Sequence, residues 1–142
     1  MNPHLSLYRQ QQVQHDVHQA SPIHLVVMLY DKVISLLRQS LLHLQRKELK
    51  EKGSALNRVV EILGELQIVL NHEEGGAVAK NLDALYTFAI QSVTEANLRN
   101  EEKPLQSVLG VLEELRKGWR ELEQIIMKQN TEESELVSGA KQ

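Results

Sequence analysis

The chain contains no cysteine. Disulfides, thiolate metal sites and cysteine nucleophiles are therefore excluded, and the absence suits a reducing compartment. Proline (3 residues), glycine (7) and aromatic side chains (4%) are scarce in 142 residues. That scarcity argues against an all-β domain, which draws on aromatic and β-branched strands and on turn residues. Long hydrophobic runs are missing as well. The longest, Leu25 to Tyr30, is far short of the roughly 20 apolar residues that span a bilayer. Met1 to Gln19 is polar, rich in Gln and His, and lacks the apolar core of a secretory signal. Neither charge sign dominates: 16 basic side chains stand against 19 acidic ones, for a net charge of −3. Bulk electrostatics thus point to neither nucleic acid nor a membrane as partner.

What is present favours helix. Leu, Glu and Gln are abundant, and the length suits one domain that can bury a real core. Ser21-Pro22 reads as an N-cap followed by Pro at the first helical position. From there Ile23, Val27, Tyr30, Ile34, Leu37, Leu41 and Leu44 keep a 4-3 spacing, the seam of a long helix. A second seam runs Leu49, Leu56, Val59, Leu63, Leu66, Leu70 and ends in Asn71 to Gly76, where the glycine pair suits a tight connection. A third carries Val78, Leu82, Leu85, Ala89, Val93 and Ala96. Pro104 then opens a fourth, with Leu105, Val108, Leu112, Leu115, Trp119, Leu122 and Ile126. The expected fold is all-α, an antiparallel up-down four-helix bundle over residues 21–128. Residues 1–20 form a flexible N-terminal arm and 129–142 a disordered polar tail.

Some apolar residues are left over once these seams are filled. Helix one is apolar nearly all round, which suits a central helix. Helix two adds Ile62 and Val69, seven apart on one stripe, and helix four adds Leu109, Val111 and Ile125. A second apolar stripe on a peripheral helix points to a groove for a partner segment. Catalytic chemistry is not legible. His15 and His18 have no third ligand nearby and read as solvated. Glu-x-x-His and His-Glu-x-x-His patterns are absent. Gly75-Gly76 lacks the frame of a phosphate loop. The chain is expected to be no enzyme and to use neither cofactor nor metal.

Several motifs follow one another in order: Ala20-Ser21-Pro22-Ile23-His24-Leu25, Met28-Leu29-Tyr30-Asp31, Lys52-Gly53-Ser54-Ala55-Leu56 and Glu61-Ile62-Leu63. Gly75-Gly76, Asn81-Leu82-Asp83-Ala84-Leu85-Tyr86, Ala96-Asn97-Leu98-Arg99-Asn100 and Trp119 complete the series. Together they cover nearly the whole bundle, and the chain resembles the FliS family of flagellar export chaperones. The resemblance implies a cytosolic protein that binds the disordered C-terminal segment of flagellin. It would prevent premature polymerisation and deliver its cargo to an export-gate component of the flagellar type III apparatus. The leftover apolar residues then suggest site roles: Ile62, Leu66, Val69, Val93 and Val108 would line parts of a groove, and the arm with Tyr8 and Val13 would lie over apolar surface until cargo displaces it or docks it elsewhere. Tyr8 would also dock at the gate. One departure is visible, since Gln91-Ser92 stand where the family often carries an arginine pair.

Two rivals differ in class. One is a bundle that self-associates as a homodimer through Ile62 and Val69. The other is a histidine phosphotransfer domain using His24 or His43, neither of which precedes the Lys-Gly usual there.

Overall fold

Ser21 starts the first helix as expected. Its side-chain oxygen accepts a hydrogen bond from the His24 amide at 3.1 Å, and Pro22 fills the first turn, where no amide donor is needed. The computed structural model describes residues 21–140, so the arm, with Tyr8 and Val13, lies outside the described residues. Four helices follow: α1 (Pro22–Gln45), α2 (Leu49–Ile68), α3 (His72–Arg99) and α4 (Glu102–Ala140). Among the described residues there is no strand. α1 packs on α2 and α4, and α3 packs on the same two, so the helices form a ring in chain order with α1 and α3 on one diagonal. Short connections and this neighbour order make the expected antiparallel bundle.

The connections explain the termini. Lys47 takes a left-handed conformation (φ 61°) in the α1–α2 turn. The α3 start differs from the expectation. Asn71 accepts a hydrogen bond from the Glu74 amide at 3.1 Å, so a capped helical turn already begins at His72, with Glu73 and Glu74 favourably placed against the helix dipole. The glycine pair is therefore a kink inside α3 rather than the link between helices. Gly76 has φ 52° and ψ −123°, a conformation that side chains with a Cβ avoid.

The tail is a second difference. α4 does not stop near Lys128 but continues to Ala140, exposed from 127 to 139. Polarity keeps this segment from packing, but it does not oppose helix formation. Proline is absent from it, its glycine comes only at Gly139, and Lys, Gln, Glu and Leu are good helix formers.

The core follows the predicted seams, with Leu29, Leu37, Leu56, Leu63, Leu105 and Leu112 essentially inaccessible. One polar contact crosses its diagonal. The hydroxyls of Tyr30 on α1 and Tyr86 on α3 lie 2.5 Å apart, with their rings edge to face at 6.4 Å. The Trp119 ring of α4 sits 6.3 Å from that of Tyr30. Burial raises the ionisation of both phenols above the ordinary tyrosine value.

Candidate functional site

The structure places four of the expected groove residues in the core. Ile62 and Val93 are 0% exposed, Leu66 is 1% and Val108 is 5%. They occupy the inward seams of α2, α3 and α4, where bundle packing claims every position, so they line no open groove. Val69 is half-buried. It is the C-cap of α2, which ends at Ile68, and its amide still donates to the Glu65 carbonyl at 3.1 Å. Sequence spacing alone did not separate a second stripe from a seam.

An open apolar strip lies elsewhere, along α3 and α4. Gln67 of α2 donates through Nε2 to Asp83 Oδ1 (3.2 Å) and Thr87 Oγ1 (2.8 Å), which marks the side of α3 that faces α2. On α4, Glu113 accepts from Arg38 at 3.0 Å, Arg116 pairs with Asp31, and Glu123 meets His24 at 2.7 Å. These contacts mark the side of α4 that faces α1. Residues three, four or seven apart share a helix face, so the opposite flanks, which border the α3–α4 seam, can be read off. On α3 this flank carries Val78 and Leu85, with Phe88 at its rim. On α4 it carries Val111, Leu115, Leu122 and Ile125.

The strip is graded in depth. Leu85 and Leu115 are half-buried and rest on the core, forming a floor. Val78 and Phe88 are each 64% exposed and Ile125 is 54%. Gly118 lies between Leu115 and Leu122, and a Cβ there would meet nothing within 4 Å. A partner backbone can approach closely at that point. The missed signal was present in the sequence. Val111 and Ile125 were surplus to the α4 seam, and Leu85 fell inside a motif read as a family mark.

Several other charged and titratable groups are engaged. A cleft of about 260 Å³ between α1 and α4 includes Asp31, Arg38, Glu113 and Arg116, which form the ion pairs just described. His24 is tied to Glu123, and His43 Nδ1 lies 3.1 Å from Glu48 Oε1 in the α1–α2 turn. Lys52, only 5% exposed, donates through Nζ to the Asn97 carbonyl (2.8 Å) and to Asn100 Oδ1 (2.5 Å). It thereby satisfies carbonyl groups at the α3 C-terminus. Among the described residues no three His, Asp or Glu side chains converge as metal ligands, and no helix is long and apolar enough to cross a membrane.

Comparison with known proteins agrees with the fold and extends it. The family model described as flagellar protein FliS matches residues 4–126. The flagellar secretion chaperone FliS of Salmonella typhimurium is 34% identical over 119 residues, covering 83% of this chain and 88% of that protein. The FliS of Vibrio cholerae is 32% identical over 122 residues, covering 86% and 90%. FliSB of Pseudomonas aeruginosa is 33% identical over 112 residues, covering 79% and 89%. A crystal structure of a bacterial flagellar chaperone shares the fold, with a TM-score of 0.70 at 22% identity over 86% of this chain and 98% of that one.

Proposed function

This chain belongs to the FliS family, and from that premise we propose that it is a cytosolic secretion chaperone for flagellin. It holds the disordered C-terminal segment of its cargo, blocks premature polymerisation and hands the cargo to the export gate. It does so by binding, without catalysis. The observation that carries this reading is the open apolar strip of α3 and α4. From Val111 to Ile125 it runs about 21 Å at 1.5 Å per residue, long enough for a helix of some four turns. A disordered apolar segment that folds there gives up chain entropy and recovers it by burying its side chains against a preformed floor. The rigid bundle contributes little ordering cost of its own.

Ile62, Leu66, Val93 and Val108 support this strip from within the core rather than touching cargo, and Val69 closes the end of α2. The arm, with Tyr8 and Val13, covers apolar surface in the free chaperone and yields to cargo, and Tyr8 then engages the gate. Affinity resides mainly in apolar anchors, so binding carries a negative heat-capacity change and little salt dependence.

The test is calorimetric titration with a peptide from the C-terminal end of flagellin of the same organism. One-to-one binding is expected, weakened at least about tenfold by Leu122→Asp or Phe88→Asp. Both sites are exposed, so thermal unfolding stays near wild type. Failure of the peptide to bind folded protein would refute the cargo, and undiminished binding by both variants would refute the strip.

A further inference from the structure

α4 outlasts the bundle. Glu123, paired with His24 in the first turn of α1, marks the level where α1 begins, and α4 continues from there to Ala140. The added length is about 25 Å at 1.5 Å per residue. This overhang has two sides. Ile125, Gln129, Glu132, Glu133, Leu136 and Val137 recur at helical spacing on one face. Leu136 is 74% exposed and Val137 is 56%. Lys128, three residues after Ile125 and four before Glu132, lies at the edge of that face, and Glu132 and Glu133 leave its net charge negative, while Arg120 falls on another side of the helix. Apolar side chains and carboxylates thus share one exposed face that no other described residue covers.

We propose that this overhang is a second docking surface, separate from the α3–α4 strip, and that its occupant is an amphipathic helix carrying Lys or Arg beside its apolar stripe. Apolar anchors would seat against Leu136 and Val137, and the cations would meet Glu132 and Glu133. Charge excludes two other occupants. An anionic lipid surface would be repelled by the carboxylates. A second copy of this chain, pairing antiparallel through the same face, would set Glu132 and Glu133 against their counterparts. A solvated helix of this length is marginal by itself, so occupancy would also stabilise it.

The probe is a model peptide of about fourteen residues, leucine and lysine in helical period, with a leucine–glutamate counterpart. Binding to the full chain is read by fluorescence anisotropy at physiological salt. We expect one-to-one binding of the lysine peptide and binding of the glutamate peptide at least about tenfold weaker. Glu132→Lys with Glu133→Lys, and Leu136→Ser with Val137→Ser, should each weaken the lysine peptide at least about tenfold. Amide exchange over residues 127–139 should slow on binding. All four sites are exposed, so neither pair of changes disturbs the bundle, and flagellin-peptide binding should stay within about twofold of wild type. Absence of saturable binding would overturn the proposal, as would binding that survives either pair of changes. Equal binding of the two peptides would also overturn it, as would a dimer by sedimentation that Leu136→Ser with Val137→Ser dissolves. Loss of the flagellin peptide in the same variants would merge the two surfaces and overturn their separation.

Discussion

Replacing Lys52 with Met should destabilise the bundle by about 2–3 kcal/mol, and the figure follows from what the ammonium group does. Its Nζ makes two short hydrogen bonds, to the Asn97 carbonyl at 2.8 Å and to Asn100 Oδ1 at 2.5 Å, in a site where the residue is 5% exposed. Hydrogen bonds to a charged group contribute about 1.5–3 kcal/mol each, which sets a ceiling of about 3–6 kcal/mol. The cost of keeping an ammonium out of water is removed by the same substitution and offsets part of that loss. Met preserves the length of the aliphatic stem, so little packing changes. For a domain of this size about 2–3 kcal/mol lowers the melting temperature by roughly 10 °C. Asn100 supplies the internal check. It holds φ 54° at the α3 C-cap, where glycine would be free of strain, so Asn100→Gly loses an acceptor but gains conformational ease and should cost under about 1 kcal/mol. In the Lys52→Met background the acceptor has no donor left to lose, and the two changes should be non-additive by about 1–2 kcal/mol. Urea unfolding of the four proteins measures all of this. A Lys52→Met protein within about 0.5 kcal/mol of wild type, or strict additivity in the cycle, would refute the latch.

Three further outcomes are expected. Ile62→Ala should cost about 2–5 kcal/mol, because the side chain is fully enclosed; denaturant unfolding reads it, and a loss below about 1 kcal/mol would return Ile62 to the surface. Gly76→Ala should cost about 1–3 kcal/mol, since φ 52° with ψ −123° has no comfortable place for a Cβ, and an unchanged melting temperature would show that the kink relaxes freely. Stability should fall as pH rises above about 10, because burial raises the Tyr30 and Tyr86 phenols above 10.0. Below the unfolded value both states keep the proton. Above it only the unfolded chain releases it, so each phenol removes up to about 1.4 kcal/mol per pH unit until the folded phenol ionises. Guanidinium titrations at successive alkaline pH values should show this slope, flattened in Tyr30→Phe with Tyr86→Phe; equal slopes would refute the assignment.

Helix periodicity made the bundle legible because packing leaves a strong imprint. The 4-3 seams of α1 and α4 predicted Leu37, Leu105 and Leu112 as core, and Ser21-Pro22 predicted the first terminus to the residue. The errors arose where two physical causes produce one pattern. A glycine pair marks either a break between helices or a kink within one, and only the Asn71 cap decides in favour of the kink. A polar tail marks either disorder or a solvated helix, because the absence of apolar residues speaks to packing and not to backbone propensity. Ile62 looked surplus because a seam read as a/d positions alone omits the flanking positions that a four-helix core also buries.

The motifs that carry the family resemblance therefore explain the fold better than the function. Ser21 caps α1, Tyr30 of the Met-Leu-Tyr-Asp motif meets Tyr86 of the Leu-Tyr motif across the core, and Asp31 pairs with Arg116. Lys52 of Lys-Gly reaches Asn97 and Asn100 of Ala-Asn-Leu-Arg-Asn. Apart from the Ser21 cap, these motif residues find their partners in another helix, so they act as latches that fix the ring of helices in register. A cargo strip needs no such pairing. Its requirement is apolar area with a floor, which Val, Leu, Ile or Phe meet almost equally, and it leaves a diffuse imprint. Val111, Leu122 and Ile125 accordingly spell no motif. They emerge only once the ion pairs of α4 show which flank faces α1 and which is left open. In this chain the recognisable residues build the scaffold, and the interchangeable ones supply the surface on which a partner would fold.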